Sequence, residues 1–221
     1  MRRVVDVVAA LTFALLLAPV LALVSLAVAL RMGRPVLFRQ ARSGRHGEVF
    51  HVAKFRTMRE ARTPDEPDAT RTPPLGGWLR AASLDELPQL WNILRGDMGL
   101  IGPRPTLPEQ VERYSERERG RLAVRPGLTG WAQVNGRNAI SWPERIELDL
   151  WYVAHRSLAV DAKILWRTAG IVLRRRDILG AGGVNPGFPG PAGADTPVRI
   201  PRPRSHEAGL VDAGDALGET A

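Results

Sequence analysis

Twenty-four consecutive residues without a charge, Val7 to Leu30, constrain this chain more than any other feature. About 20 apolar residues suffice to cross a bilayer as a helix. Three topologies compete for such a run. Arg2 and Arg3 ahead of it and Ala27-Val28-Ala29 near its end resemble a signal peptide, but that apolar core runs only about 7–15 residues. A simple spanning helix is the second. The third is a re-entrant hairpin that enters the membrane and returns to the same face. Arg2 and Arg3 flank one end and Arg31 and Arg34 the other, so the preference of basic residues for the cytoplasmic side draws both ends there. Pro19 lies near the middle, where it removes a hydrogen bond and kinks the helix. Asp6, three residues after Arg3, is placed to pair with it.

Beyond this run, Pro35 to Gln40 and Val49 to Phe55 read as two short strands, and Gly44-Arg-His-Gly47 between them is turn chemistry, which predicts a hairpin. Thr63 to Pro74 reads as exposed loop. Helices are predicted at Gly77–Ala82, at Leu87–Leu94 with a stop at Gly96, and at Leu107–Arg119 with acids early and Arg late. Val124 to Gly136 reads as loop. Trp142–Arg156 and Asp161–Arg176 are two further helices, with Ser141 and Asp161 as N-caps and Pro143 at an early helical position. The last carries Leu165, Trp166 and Val172 and ends in Arg174-Arg175-Arg176; it suits either a membrane interface or an ordinary core-packed face. Nine Gly and six Pro among the last 42 residues predict a disordered tail. The organisation expected is a membrane-inserted helix over 1–33, a catalytic domain over 34–178 and the tail over 179–221.

Net charge is +8, and the last 42 residues hold three Arg against five acids, so the first 179 carry about +10. That part suits an anionic partner: nucleic acid, lipid headgroups or a phosphorylated substrate. A nucleic-acid role is disfavoured because lysines are scarce, Lys54 and Lys163 alone, and aromatics do not interleave with the arginines. The absence of cysteine excludes a disulfide scaffold, a thiolate zinc site and a Cys nucleophile. Four scattered His residues have no ligand spacing, and there is no Walker-type loop, GxGxxG, HExxH or GxSxG.

The densest polar stretch is Ser83-Leu-Asp-Glu-Leu-Pro-Gln-Leu-Trp-Asn92, followed by Arg95-Gly-Asp97 and Gly102-Pro-Arg-Pro105. Ser83-x-x-Glu86 is a capping box by pattern. Pro88 opposes this, since it would be the fifth helical residue, where an N–H is needed. The alternative places Asp85 and Glu86 together at a helix entrance. Adjacent carboxylates repel a bare phosphate there, which suggests Mg²⁺ bridging carboxylate and pyrophosphate. With that charge neutralised, a carboxylate can attack phosphorus. Arg104, held between two prolines, suits bidentate phosphate contact with little entropy to lose.

Arg34-Pro-Val-Leu-Phe-Arg-Gln40, Lys54-Phe-Arg-Thr-Met58, the Ser83–Asn92 run, Arg95-Gly-Asp-Met98, Gly102-Pro-Arg-Pro105 and Arg125-Pro-Gly-Leu-Thr-Gly130 occur in this order. Over roughly residues 2–178 the chain resembles the bacterial sugar transferase family, the monotopic phosphoglycosyl transferases that act on polyprenyl phosphate. The resemblance implies an α/β, mostly helical fold with a re-entrant N-terminal helix hairpin, a small β-hairpin and amphipathic helices lying at the membrane surface. It implies transfer of a sugar 1-phosphate from a UDP-sugar to undecaprenyl phosphate with release of UMP, the first membrane step of exopolysaccharide or glycoconjugate synthesis. The cofactor implied is Mg²⁺, held by Asp85. By motif position Asp85 is the nucleophile that forms a covalent phosphosugar, and Glu86 has a supporting acid/base or metal-positioning role. Arg80 and Arg104 contact phosphates or nucleotide, and Lys54 lies near the site. The partners implied are UDP-sugar, undecaprenyl phosphate and membrane lipid at the cytoplasmic face of the bacterial plasma membrane, with no nucleic acid; a homo-oligomer is compatible. A catalytically idle scaffold for polysaccharide assembly is the alternative. Two departures stand out. Ala18-Pro19 replaces the family's frequent Ser-Pro, and Ala81-Ala82 stands where a second basic residue and Thr are common.

Overall fold

A computed structural model describes residues 2–63, 66–136 and 140–174; the segment 179–221 lies outside them, as do Arg175 and Arg176. The described chain is mostly helical with small two-stranded sheets. Helix α1 (Arg2–Leu16) meets helix α2 (Ala18–Met32) at a 62° bend. Pro19 sits in the first turn of α2, where its missing N–H interrupts the ladder between the two, so the predicted kink is present. Among the described residues no single helix is long and apolar enough to cross a membrane, and these two pass that test only as a bent pair.

Strands β1 (Leu37–Ser43) and β2 (Val49–Phe55) form the antiparallel hairpin. β1 starts and ends later than the sequence pattern suggests. A helical turn, α3 (Asp68–Arg71), lies in the segment read as loop, its acid first and its Arg last in agreement with the helix dipole. Helix α4 (Pro74–Ala81) begins earlier than predicted because Pro74 suits a first helical position. A 3₁₀ turn over Leu84–Gln89 leads into α5 (Leu90–Arg95), which stops at Gly96 with φ +101°.

The single helix predicted over Leu107–Arg119 is two, α6 (Pro108–Glu112) and α7 (Glu116–Arg119). Ser115 breaks it by starting a capping box of its own: its Oγ accepts the Glu118 N–H at 3.3 Å, and Glu118 accepts the Ser115 N–H at 2.8 Å. The loop predicted over Val124–Gly136 contains strand β4 (Gly127–Thr129), parallel to β3 (Gly99–Ile101), and helix α8 (Trp131–Asn135). Helix α9 (Trp142–Ala154) is capped by Ser141 as predicted. Helix α10 (Leu158–Arg174) starts before Asp161. Its first turn is closed by Ser157, whose Oγ accepts the Val160 N–H at 3.2 Å. Asp161 instead accepts from Arg2 Nε at 2.9 Å and Tyr152 Oη at 2.8 Å.

Two apolar clusters position the site. Ala10, Val52, Leu90, Ile93, Met98 and Leu100 join α1, β2, α5 and β3. Val24, Val28, Phe55 and Leu79 join α2, β2 and α4. Each fully buried aliphatic side chain contributes about 1.5–3 kcal/mol, so β2 is the common wall that both clusters fix. The predicted Arg3–Asp6 pair does not form. Arg3 donates to the Ile93 and Leu94 carbonyls in the last turn of α5, the first of which also accepts the Gly96 N–H at 3.1 Å, and Asp6 accepts the Leu100 N–H at 3.1 Å.

Candidate active site

The site is built where β2, the 3₁₀ turn and the Pro103–Pro105 loop meet. Lys54 lies opposite Phe38 in the hairpin register, and directly paired residues share a face, so Gln40 and Arg42 lie on the Lys54 side of β1. Asn92 ties α5 to the same strand. Its amide donates to the His51 carbonyl at 2.7 Å and accepts the Ala53 N–H at 3.2 Å.

The capping-box reading of Ser83 and Glu86 is overturned. Ser83 adopts a left-handed conformation, φ +56°, and its side chain caps nothing. In an α-helix the Pro88 ring would clash with the carbonyl of Leu84, four residues back, and the chain winds as a 3₁₀ turn over Leu84–Gln89. This turn sets Asp85 and Glu86 side by side with different surroundings.

Glu86 is fully committed. Its Oε1 accepts from Lys54 Nζ at 2.8 Å and from Arg104 Nη2 at 2.5 Å, and its Oε2 lies 3.4 Å from Arg104 Nη1. Burial alone raises its pKa. The Arg104 and Lys54 charges and hydrogen bonds outweigh burial and hold the carboxyl far below the usual range. A carboxyl this acidic has no proton to give near neutral pH. Burial lowers the Lys54 pKa against the pull of Glu86, whereas the Glu86 charge raises that of Arg104.

Asp85 is the opposite case. It is 8% exposed and makes no hydrogen bond or ion pair among the described residues. Burial first, and the Glu86 charge second, push its pKa up to about 6 against the cations of Lys54, Arg104 and Arg80. A buried, unpaired carboxylate beside a cluster of cations is both basic and close to where a phosphate would sit.

Arg80 approaches from α4 and donates from Nε to Thr57 Oγ1 at 2.9 Å. Gly76 makes this approach possible, because a Cβ there would lie 1.9 Å from the Thr57 carbonyl oxygen. The five predicted site residues therefore gather in one place: Lys54, Glu86 and Arg104 by direct contact, Asp85 and Arg80 through charge.

Sequence reading missed the supports of this cluster. Arg42 donates to Gln40 Oε1 at 2.6 Å and to the Pro105 carbonyl at 3.3 Å; burial, then the Arg104 charge, lower its pKa to about 10. The alternation of the hairpin could have found it. Below the loop, Arg121 and Asp149 form an ion pair in which each side chain is 1% exposed. Arg121 also donates to Tyr114 Oη at 2.7 Å and to the Arg104 carbonyl at 3.0 Å, and Tyr114 donates to Thr106 Oγ1 at 3.1 Å. No local pattern marks these residues. Gly102 and Gly127 close the other side of the loop, where a Cβ on Gly127 would meet the Gly102 nitrogen at 2.0 Å.

Residues 1–175 match the sequence profile of the bacterial sugar transferases. The chain is 47% identical over 180 residues to the sugar transferase EpsL of Bacillus subtilis (strain 168), covering 78% of this chain and 87% of that one. It is 45% identical over 189 residues to the UDP-glucose:undecaprenyl-phosphate glucose-1-phosphate transferase of Caulobacter vibrioides, covering 78% and 69%. It is 37% identical over 198 residues to the undecaprenyl-phosphate galactose phosphotransferase of Salmonella typhimurium, covering 79% of this chain but 41% of that longer protein. With the profile spanning residues 1–175 and the Bacillus relative matched over 87% of its length, while the longer Salmonella protein is matched over 41% of its own, this protein belongs to the bacterial sugar transferase family.

Proposed function

We propose that the protein transfers a sugar 1-phosphate from a UDP-sugar to undecaprenyl phosphate, releasing UMP, through a covalent intermediate on Asp85. The names of the Caulobacter and Salmonella relatives support the reaction class. The observation that carries the route is the contrast within the acidic pair: Glu86 is saturated by Lys54 and Arg104, while Asp85 is buried, unpaired and raised to about 6.

In the first half-reaction an Asp85 oxygen attacks the β-phosphorus of the donor. The bond from that phosphorus to the bridging oxygen breaks, and UMP leaves with the electron pair. Lys54, Arg104 and Arg80 all act on Asp85 through their charge, so a phosphoryl group under attack by Asp85 would have its growing negative charge offset by these cations. In the second half an oxygen of the lipid phosphate attacks the same phosphorus and the Asp85 carboxylate departs unchanged. Glu86 acts by holding Lys54 and Arg104 in place rather than by moving a proton.

Magnesium fits as a substrate-borne partner. Among the described residues no three ligating side chains cluster, and with Glu86 committed, Asp85 is the carboxylate left to hold the ion. Mg²⁺ commonly takes one or two carboxylates and completes its shell with phosphate and water. When bound it would neutralise pyrophosphate charge. The α1–α2 pair is read as a re-entrant hairpin at the cytoplasmic face of the plasma membrane. Leu15, Leu16, Leu23 and Leu30 are at least 67% exposed, an apolar surface that water does not favour. The hairpin would hold the site at headgroup level, as an early step of exopolysaccharide or glycoconjugate assembly requires.

The test is UMP release by purified protein given UDP-sugar and polyprenyl phosphate, with mass spectrometry of donor-loaded, acid-quenched enzyme. A phosphosugar adduct on the peptide containing Asp85 is expected. Turnover without any adduct would remove the covalent route, and no UMP release with any UDP-sugar would leave the idle-scaffold reading.

A further inference from the structure

A cavity of about 570 Å³ opens at the C-terminal end of α2, and none of Lys54, Asp85, Glu86 or Arg104 lines it. Five arginines do, Arg31, Arg34, Arg56, Arg59 and Arg71, against one acid, Glu60. Two of them build the wall. Arg59 holds Glu66 with both terminal guanidinium nitrogens, and Arg71 donates from Nε to the Arg59 carbonyl at 3.2 Å and from Nη1 to Asp68 at 3.4 Å. Arg56 covers the end of α2, donating to the carbonyls of Met32, Gly33 and Arg34, while its own Nε is buried without a partner. The side chains of Arg31 and Arg34 are exposed and form no ion pair or hydrogen bond among the described residues.

Arg59 and Arg71 are matched by Glu66 and Asp68, which leaves Arg31, Arg34 and Arg56 without an acid partner among the described residues; cations left so around a concave space repel one another until an anion enters, and guanidinium groups match phosphate oxygens bidentately. The volume falls in the range of small-molecule sites. Position selects the kind of phosphate. The cavity begins where the exposed apolar side chains of α2, Leu23, Leu26 and Leu30, end. With α2 in the bilayer its mouth lies at headgroup depth, where anionic lipids attract basic residues. The phosphate of the lipid acceptor must instead reach Asp85, which is not in this wall.

We propose that this cavity binds the phosphodiester headgroup of an anionic phospholipid and thereby fixes the depth of the helix pair. The inference rests on the membrane-inserted reading of α1 and α2, so the experiment separates the two.

The full chain, purified in detergent, is floated with neutral phosphatidylcholine vesicles and then measured by native mass spectrometry with phosphatidylglycerol or phosphatidylcholine added. Flotation with the neutral vesicles is expected, together with preferential retention of phosphatidylglycerol. Arg31→Gln/Arg34→Gln should weaken that retention by about thirtyfold, with flotation and melting temperature unchanged. Arg117→Gln, away from the cavity, should leave it intact. Equal retention of the two lipids, indifference to the double variant, or displacement by equimolar inorganic phosphate or polyprenyl phosphate overturns the headgroup assignment while the membrane reading stands. Failure to float overturns both.

Discussion

Arg121 donates to the backbone carbonyl of Arg104 at 3.0 Å from a fully buried position beneath it. The Pro-Arg-Pro loop is thus held from below by an ion pair rather than by its prolines alone. Removing one member of a buried pair leaves the other charge uncompensated and costs about 3–5 kcal/mol, whereas replacing both is often close to neutral. Arg121→Met should therefore lower stability by that amount in urea melts. Arg121→Met/Asp149→Leu should recover most of it. UMP release should stay low in the double variant, because the Arg104 carbonyl has still lost its donor. Full activity there would assign Arg121 to folding only.

The acid limb of the rate should report Asp85. The nucleophile works ionised, so kcat/KM for the UDP-sugar, which reports the free enzyme, should rise with pH through about 6. The causes of the shift predict opposite movements in two variants. Glu86→Gln removes the second-largest raising influence and should move the midpoint down. Lys54→Met removes a lowering one and should move it up. Both should be slower at the plateau. Midpoints that move together, or not at all, would detach the limb from this carboxyl.

Much of the site is legible because its residues fall in compact motifs, and the unit of the 3₁₀ turn carries both acids. The geometry is less so. Ser83 and Glu86 carry a capping box in letters, yet Pro88 forces a tighter turn and Ser83 a left-handed backbone. Strands β3 and β4 span three residues each, too few for any alternation to register. Asp161 looks like a cap and serves as a partner of Arg2, 159 residues away. The same distance effect hides Arg121, whose partner Asp149 lies 28 residues on. A buried arginine in a single sequence has the same letters as an exposed one.

Two neighbouring glycines should behave oppositely. A Cβ at Gly76 would lie 1.9 Å from the Thr57 carbonyl oxygen, whereas one at Gly77 meets nothing within 4 Å. Gly76→Ala must push α4 off β2, with the loss of about 1–3 kcal/mol usual for overpacking, and should break the Arg80–Thr57 contact and reduce activity. Gly77→Ala, inside α4, should gain about 0.5–1 kcal/mol through helix propensity at unchanged activity. Thermal melts and UMP release on the pair test the approach of α4, and equal effects would reject it.

Asp85 should weaken the fold it serves. Its native pKa, about 6, lies above the ordinary 3.8, so the folded state binds the proton more tightly than the unfolded chain does. Ionisation therefore opposes folding. The group does no harm below pH 3.8, and its cost grows as pH rises until it is complete above 6. At about 1.4 kcal/mol per pH unit the full cost is about 3 kcal/mol. Asparagine carries no charge at any of these values. Asp85→Asn should accordingly match the parent protein in denaturant melts at pH 4, exceed it by about 3 kcal/mol at pH 8, and lose turnover by about 10⁴ or more. A stability difference that is flat with pH, or of opposite sign, would mean that the carboxyl is not desolvated in the native site.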